Sequence, residues 1–138
     1  MIKIAKEFRW EMGHRLKFHE GQCKNLHGHS YKLLVELAGT PDENGIVMDY
    51  YDVKKVIAPL IEKLDHSFMV HSEDKELLEA LQTLNSKHVV TGFHSTAENL
   101  CEYFLGEIKK CSLPSNIYQL RVKVFETETT YAEESSVL

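Results

Sequence analysis

A basic surface is the first thing this 138-residue sequence lacks: 16 lysines and arginines face 21 acidic residues, for a formal net charge of −5. General binding to nucleic acid or to a membrane calls for the opposite sign, so neither partner is expected. No apolar run approaches the ~20 residues of a membrane span. Met1-Ile2-Lys3-Ile4 also lacks the long apolar stretch of a signal peptide. Cysteine is scarce. Three thiols, an odd number without framework spacing, argue against a disulfide scaffold and for a reducing cytoplasm. Internal repeats, low-complexity tracts and linkers are missing too. What remains is 43% hydrophobic and 27% charged, enough for one packed core, so a single domain over residues 1–138 is expected.

Histidine, by contrast, is plentiful, and three of the eight are grouped. Cys23-Lys24-Asn25-Leu26-His27-Gly28-His29 packs a thiol and two imidazoles into seven residues, with His14 a short loop upstream. Residues at i and i+2 of an extended strand project from one face, and the glycine between them leaves a bound ion uncrowded. Three protein ligands on a tetrahedral zinc leave the fourth position open to water or substrate, the layout of a catalytic metal site. An isolated H-G-H also fits two surface histidines at a strand entrance. The rest of the chain has to weigh between them.

Parity along the chain does that. Ile2, Ile4, Phe8, Trp10 and Met12 alternate, and His14 continues their parity. Tyr31, Leu33, Val35 and Leu37 alternate in phase with His27 and His29. Two strands therefore deliver three histidines to one buried face. Gly39 to Gly45 reads as a turn, and Ile46-Val47-Met48 as a short strand. A helix runs from Val53 to Leu64 and closes at Asp65-His66, with Pro59 expected to bend or split it. Residues 73–84 suit a short amphipathic helix, followed by a polar stretch to His94. Ser95-Thr96-Ala97-Glu98 reads as a capping box opening a helix to about residue 110. Leu120, Val122 and Val124 alternate, and a last extended segment over 130–138 can pair with them. Strand, strand, helix, helix, strand, strand implies an α+β antiparallel sheet with helices on one face.

Three further features carry chemistry. Glu126 continues the parity of Leu120, Val122 and Val124, so it either reaches solvent at the strand end or needs buried donors. A planar ligand with two parallel N–H groups, such as a pterin or guanidine, matches a carboxylate in fork geometry. In Asp65-His66 a carboxylate can fix an imidazole tautomer, and an imidazole near Cys23 can promote its thiolate; a helix cap with a surface histidine explains the pair equally. Glu20, three residues before Cys23, is an auxiliary acid or base candidate. Arg15, Lys17 and Lys24 are the local cations available to an anionic substrate.

Taken in order, His14, Cys23-x-x-x-His27-Gly28-His29, Leu64-Asp65-His66, Ser95-Thr96-x-Glu98-Asn99 and Glu126-Thr127 resemble the 6-pyruvoyltetrahydropterin synthase and 6-carboxytetrahydropterin synthase family. The resemblance implies the tunnelling fold: a four-stranded antiparallel sheet with two main helices on one face, trimerising into a barrel and pairing into a hexamer. It implies zinc on His14, His27 and His29, Cys23 as proton acceptor, Asp65 and His66 as its activating pair, and Glu126 as the pterin anchor. Thr96 and Glu98 resemble residues lining the pterin pocket, and a capping role explains them equally. The implied substrate is 7,8-dihydroneopterin triphosphate. The short Cys-x-x-x-His-Gly-His loop resembles the carboxy-forming branch, which feeds queuosine, more than the pyruvoyl branch, which feeds tetrahydrobiopterin. Glu20 leaves open a relative that forms 6-hydroxymethyl-dihydropterin. The alternative of another class is a non-catalytic zinc-dependent binding or assembly module. A zinc hydrolase would want a carboxylate base beside a metal-bound water, and Glu20 is its only local candidate.

Overall fold

Two long strands carry the histidines, and everything else is arranged around them. A computed structural model describes residues 1–138. Strand β1 (Ile2–His14) and strand β2 (His27–Gly39) pair antiparallel over their full lengths, with His14 opposite His27 and Met12 opposite His29. Strand β5 (Ile117–Phe125) pairs antiparallel with β2, and β6 (Tyr131–Val137) with β5. The expected 130–138 strand is therefore present.

The sheet is larger and less uniform than expected. It has six strands in the order β4-β3-β1-β2-β5-β6, where β3 (Ser67–His71) runs parallel to β1 and β4 (His88–Thr91) parallel to β3. The four antiparallel strands are its larger part; the two parallel ones correct the four-strand expectation. Strand β3 falls between the two expected helices, where no element was expected, and β4 in the stretch read as polar. At five and four residues, they are too short to show a period.

Three helices cover the sheet: α1 (Tyr50–Leu64), α2 (Lys75–Thr83) and α3 (Ala97–Lys109). Helix α1 buries Val53, Ile57, Ile61 and Leu64, and α3 buries Leu100, Cys101, Phe104, Leu105 and Ile108. Both stripes meet Trp10, Met12, Tyr31, Leu33, Val35, Leu120 and Val122 in one core of 21 buried residues. The two main helices thus share a face, as expected. Helix α2 does not join them. Its Leu77 and Leu81 form a separate cluster with Val70, against which Phe68 packs, while Met69 belongs to the main core. Alternation along β3 puts α2 on the opposite face.

Local expectations fail for identifiable reasons. Pro59 leaves α1 unbroken. It sits on the exposed side, where the carbonyl of exposed Lys55, deprived of its N–H partner, can turn to water. Ile46-Val47-Met48 forms no strand. The N-cap of α3 is Thr96 rather than Ser95, its hydroxyl accepting from Asn99 N at 3.1 Å. Ser95 is thereby freed for another task. No helix is long and apolar enough to cross a membrane.

Candidate active site

The antiparallel register makes the site. Because His14 faces His27 across the ladder and His29 lies two residues on, all three rings meet on the core face at the strand ends. Their centroids are 4.6 Å (His14–His27), 5.2 Å (His14–His29) and 4.9 Å (His27–His29) apart. Ligand nitrogens of the three lie within 4.8 Å of one another, an arrangement that can hold a metal ion.

Which nitrogens point inward follows from the hydrogen bonds. His14 Nδ1 lies 3.0 Å from the Ser95 carbonyl oxygen and 2.9 Å from its hydroxyl. A carbonyl only accepts, so the proton is on Nδ1 and the lone pair on Nε2. His27 repeats the device, with Nδ1 donating to the Asn25 carbonyl at 2.7 Å. Backbone carbonyls behind the ring are the usual means of fixing a metal-binding tautomer. The Nε2 atoms of His14 and His29 are buried and have no hydrogen-bond partner. Unpaired buried polar atoms are costly, and a metal ion would satisfy both. The donor set fits one.

Electrostatics favour the neutral form of His14 and His29. Burial pushes His14 down from the ordinary 6.5 to about 4, and repulsion from His27 and His29 adds to it. These effects outweigh the single Glu126 oxygen 3.5 Å from His14 Nε2. Burial and His27 also lower His29, against the upward pull of Glu126. The folded metal-free protein keeps His14 neutral down to about pH 4, whereas the unfolded chain protonates it below 6.5. Stability should therefore be fully present above that range and fall as the pH drops through it, by about 3 kcal/mol. Denaturant titrations of metal-free protein at pH 7 and pH 4.5 would measure the loss, and His14→Gln should reduce it.

Glu126 follows β5 directly and is half-buried. Its Oε1 lies 3.5 Å from His14 Nε2 and 3.6 Å from His29 Nε2, so the carboxylate expected at a surface or a pterin is directed at the histidines. Sequence reasoning missed two neighbours. Ser95 is one: it orients a ring 81 positions away, and no local pattern announces that. Tyr31 is the other, wholly buried and stacked on Trp10 at 4.9 Å, its hydroxyl unpartnered. Burial, and then the charge of Glu126, pushes that phenol well above its ordinary range.

Asp65 is the C-cap of α1, and His66 follows it directly. Asp65 Oδ1 accepts from Glu11 N at 2.9 Å and contacts His66 Nδ1 at 2.9 Å. The Glu11 amide, followed by His66, holds the Asp65 carboxyl below its usual value. His66 is in the left-handed region at φ 60°, uncommon for a residue with a side chain and frequent where geometry serves a site. Its ring is exposed and lines a cleft of about 420 Å³ together with Glu11, Gly28, Ser30, His27 and His29.

Cys23 sits half-buried in a single 3-10 turn (Gln22–Lys24) on the loop joining the two histidine strands. It belongs neither to the three-histidine group nor to the lining of that cleft. Glu20 is exposed on the same loop, Thr96 caps α3, and Glu98 is exposed in its first turn. Arg15 is not a free cation. Its guanidinium makes a fork with Asp74, two bonds of 2.7 Å, which ties the loop to the start of α2. Lys17 and Lys24 remain exposed.

Residues 3–136 match the family described as 6-pyruvoyl tetrahydropterin synthase. The chain belongs to this family. A 6-carboxy-5,6,7,8-tetrahydropterin synthase of Haemophilus influenzae is 34% identical over 144 residues, covering 96% of this chain and 98% of that protein. A namesake from Aquifex aeolicus is 34% identical over 155 residues, covering 95% and 96%. In fold, the chain is similar to a Plasmodium vivax 6-pyruvoyl tetrahydropterin synthase, with a TM-score of 0.79 at 19% identity over 99% of this chain and 98% of that one. The tetrahydropterin synthase resemblance of the sequence is thereby established, and with it the α+β architecture.

Proposed function

We propose that this protein is a zinc-dependent lyase that converts 7,8-dihydroneopterin triphosphate and one water to 6-carboxy-5,6,7,8-tetrahydropterin, acetaldehyde and triphosphate, on the 7-deazaguanine route to queuosine. The observation that carries the reading is the converging set of His14, His27 and His29, found in a chain 34% identical to an enzyme named for that product. Zinc held by the three imidazoles would supply Lewis acidity to the hydroxylated side chain of the substrate. Cys23 takes up and returns the proton that moves between side chain and ring. Asp65 holds His66 so that the imidazole can activate that thiol. Glu126 accepts two parallel N–H bonds from the pterin, with Thr96 and Glu98 at the edge of its pocket. The working form is a cytoplasmic homo-oligomer, a trimer or a hexamer of two trimers.

Incubating the zinc-loaded protein with dihydroneopterin triphosphate and weighing the product decides the branch. A carboxy product with acetaldehyde is expected. A pyruvoyl product without acetaldehyde would move the protein to the branch that the family description names. Turnover of neither kind would leave the zinc-dependent binding module.

Glu126 has its own test. Glu126→Gln keeps the shape but turns an acceptor into a donor opposite the ring N–H groups, a mismatch costing about 1–3 kcal/mol. Pterin affinity by fluorescence titration should fall accordingly, with zinc content unchanged. Equal affinity would return Glu126 to the status of a strand-end glutamate.

A further inference from the structure

Glu126 lies against two histidine nitrogens that give it no hydrogen bond. Its Oε1 lies 3.5 Å from His14 Nε2 and 3.6 Å from His29 Nε2. Those are the atoms whose lone pairs a metal would take. The lone pair on His14 Nε2 offers the carboxylate no hydrogen bond, and a metal ion on these nitrogens would offer none either. His14 Nδ1 is already committed to Ser95. The carboxylate then needs another donor.

The core face holds few. Besides the histidines, the buried groups without a partner are Trp10 Nε1, Tyr31 OH, Tyr103 OH and Arg121 Nε. Arg121 has the opposite parity on β5 and pairs with Glu36 and Glu133. Tyr103 is on α3, against Phe93 and Phe104. Trp10 is on β1, one strand further from β5. Tyr31 is on β2, the direct neighbour of β5. The β2–β5 ladder ends at Lys32–Phe125, and one further step sets Tyr31 opposite Glu126. The same phenol ring lies edge-on to His29 at 5.5 Å and to His14 at 6.2 Å. Its burial is complete and its hydroxyl is unmatched, so the O–H is held in reserve beneath the site.

We infer that Tyr31 is a positioning residue: when metal occupies the three histidines, its hydroxyl donates to Glu126 and sets the carboxylate in the orientation that receives the pterin. One Glu126 oxygen is fixed by the phenol from below, and lone pairs of both oxygens remain for the parallel N–H groups of the ring. A phenylalanine would fill the same space and keep the Trp10 stack, yet leave the carboxylate free to turn. This rests on the pterin reading of the site proposed above.

The test is a double-mutant cycle of Tyr31→Phe and Glu126→Gln, read as neopterin binding to zinc-loaded protein by fluorescence titration. Tyr31→Phe alone should weaken binding about tenfold while zinc content stays at the wild-type level. In the Glu126→Gln background the same change should do almost nothing, because the carboxylate it positions is gone. Thermal melts of metal-free wild type and Tyr31→Phe should show no loss of stability in the variant, since no bond of the hydroxyl is removed. Wild-type affinity in Tyr31→Phe, or an equal loss in both backgrounds, overturns the inference and leaves the pterin reading standing. A wild-type protein that does not bind neopterin overturns both.

Discussion

His27→Ala and His29→Ala should each emerge from purification with almost no zinc, where the wild-type chain should carry about one ion, as three-ligand sites do. Loss of a carbonyl or carboxylate behind a ligand already costs about 10–100-fold in metal affinity, so removing the ligand itself should cost more. These two positions give a cleaner test than His14. Both are half-buried and leave an opening to solvent when truncated, whereas His14 is 1% exposed and bonded to Ser95. Truncating it would strand the Ser95 hydroxyl and leave a cavity, so instability would mix with metal loss. Metal analysis of the folded variants, after dialysis against a weak chelator, reads the result. Full occupancy in either variant would sink the metal assignment, and with it the reaction proposed for the site.

The three-histidine group was legible in the sequence because period two is rigid. His14 with Met12 and Trp10, and His27 and His29 with Tyr31, could share a face only if both segments were strands, and the ladder bears this out. Elements whose burial is not one-sided left no such trace. Strand β3 has Met69 in the main core while Phe68 and Val70 meet α2, so both faces are apolar and no alternation appears. Contacts between distant parts of the chain were equally silent. Ser95 looked like half of a capping box, and only the packing of α3 over the sheet shows it oriented toward His14. Arg15 looked free until α2 brought Asp74 to it. Glu126 was singled out by parity, but its approach to two histidines depends on where β5 ends, which parity does not give.

Mixing two inactive variants should recover activity. Cys23→Ala and His66→Ala should each lose at least about a hundredfold in turnover, the scale of one acid–base group. Neither residue belongs to the three-histidine group, so zinc should stay in both variants. Within one chain, His66 borders a cleft that Cys23 does not line, and its ring is largely exposed. The sheet also ends in two open edges, β4 and β6, of the kind that another chain commonly covers or extends. A cyclic assembly in which His66 of one subunit serves Cys23 of the next accounts for both observations. Unfolding the two variants together and refolding them at equal amounts should then restore about a quarter of wild-type turnover, since half of the cysteines and, independently, half of the facing histidines are intact. A site built within one chain predicts no recovery, because every chain in the mixture carries a defect. Mixed oligomers as inactive as their parents would therefore put Cys23 and His66 in the same subunit, and a monomer by light scattering would remove the shared site altogether.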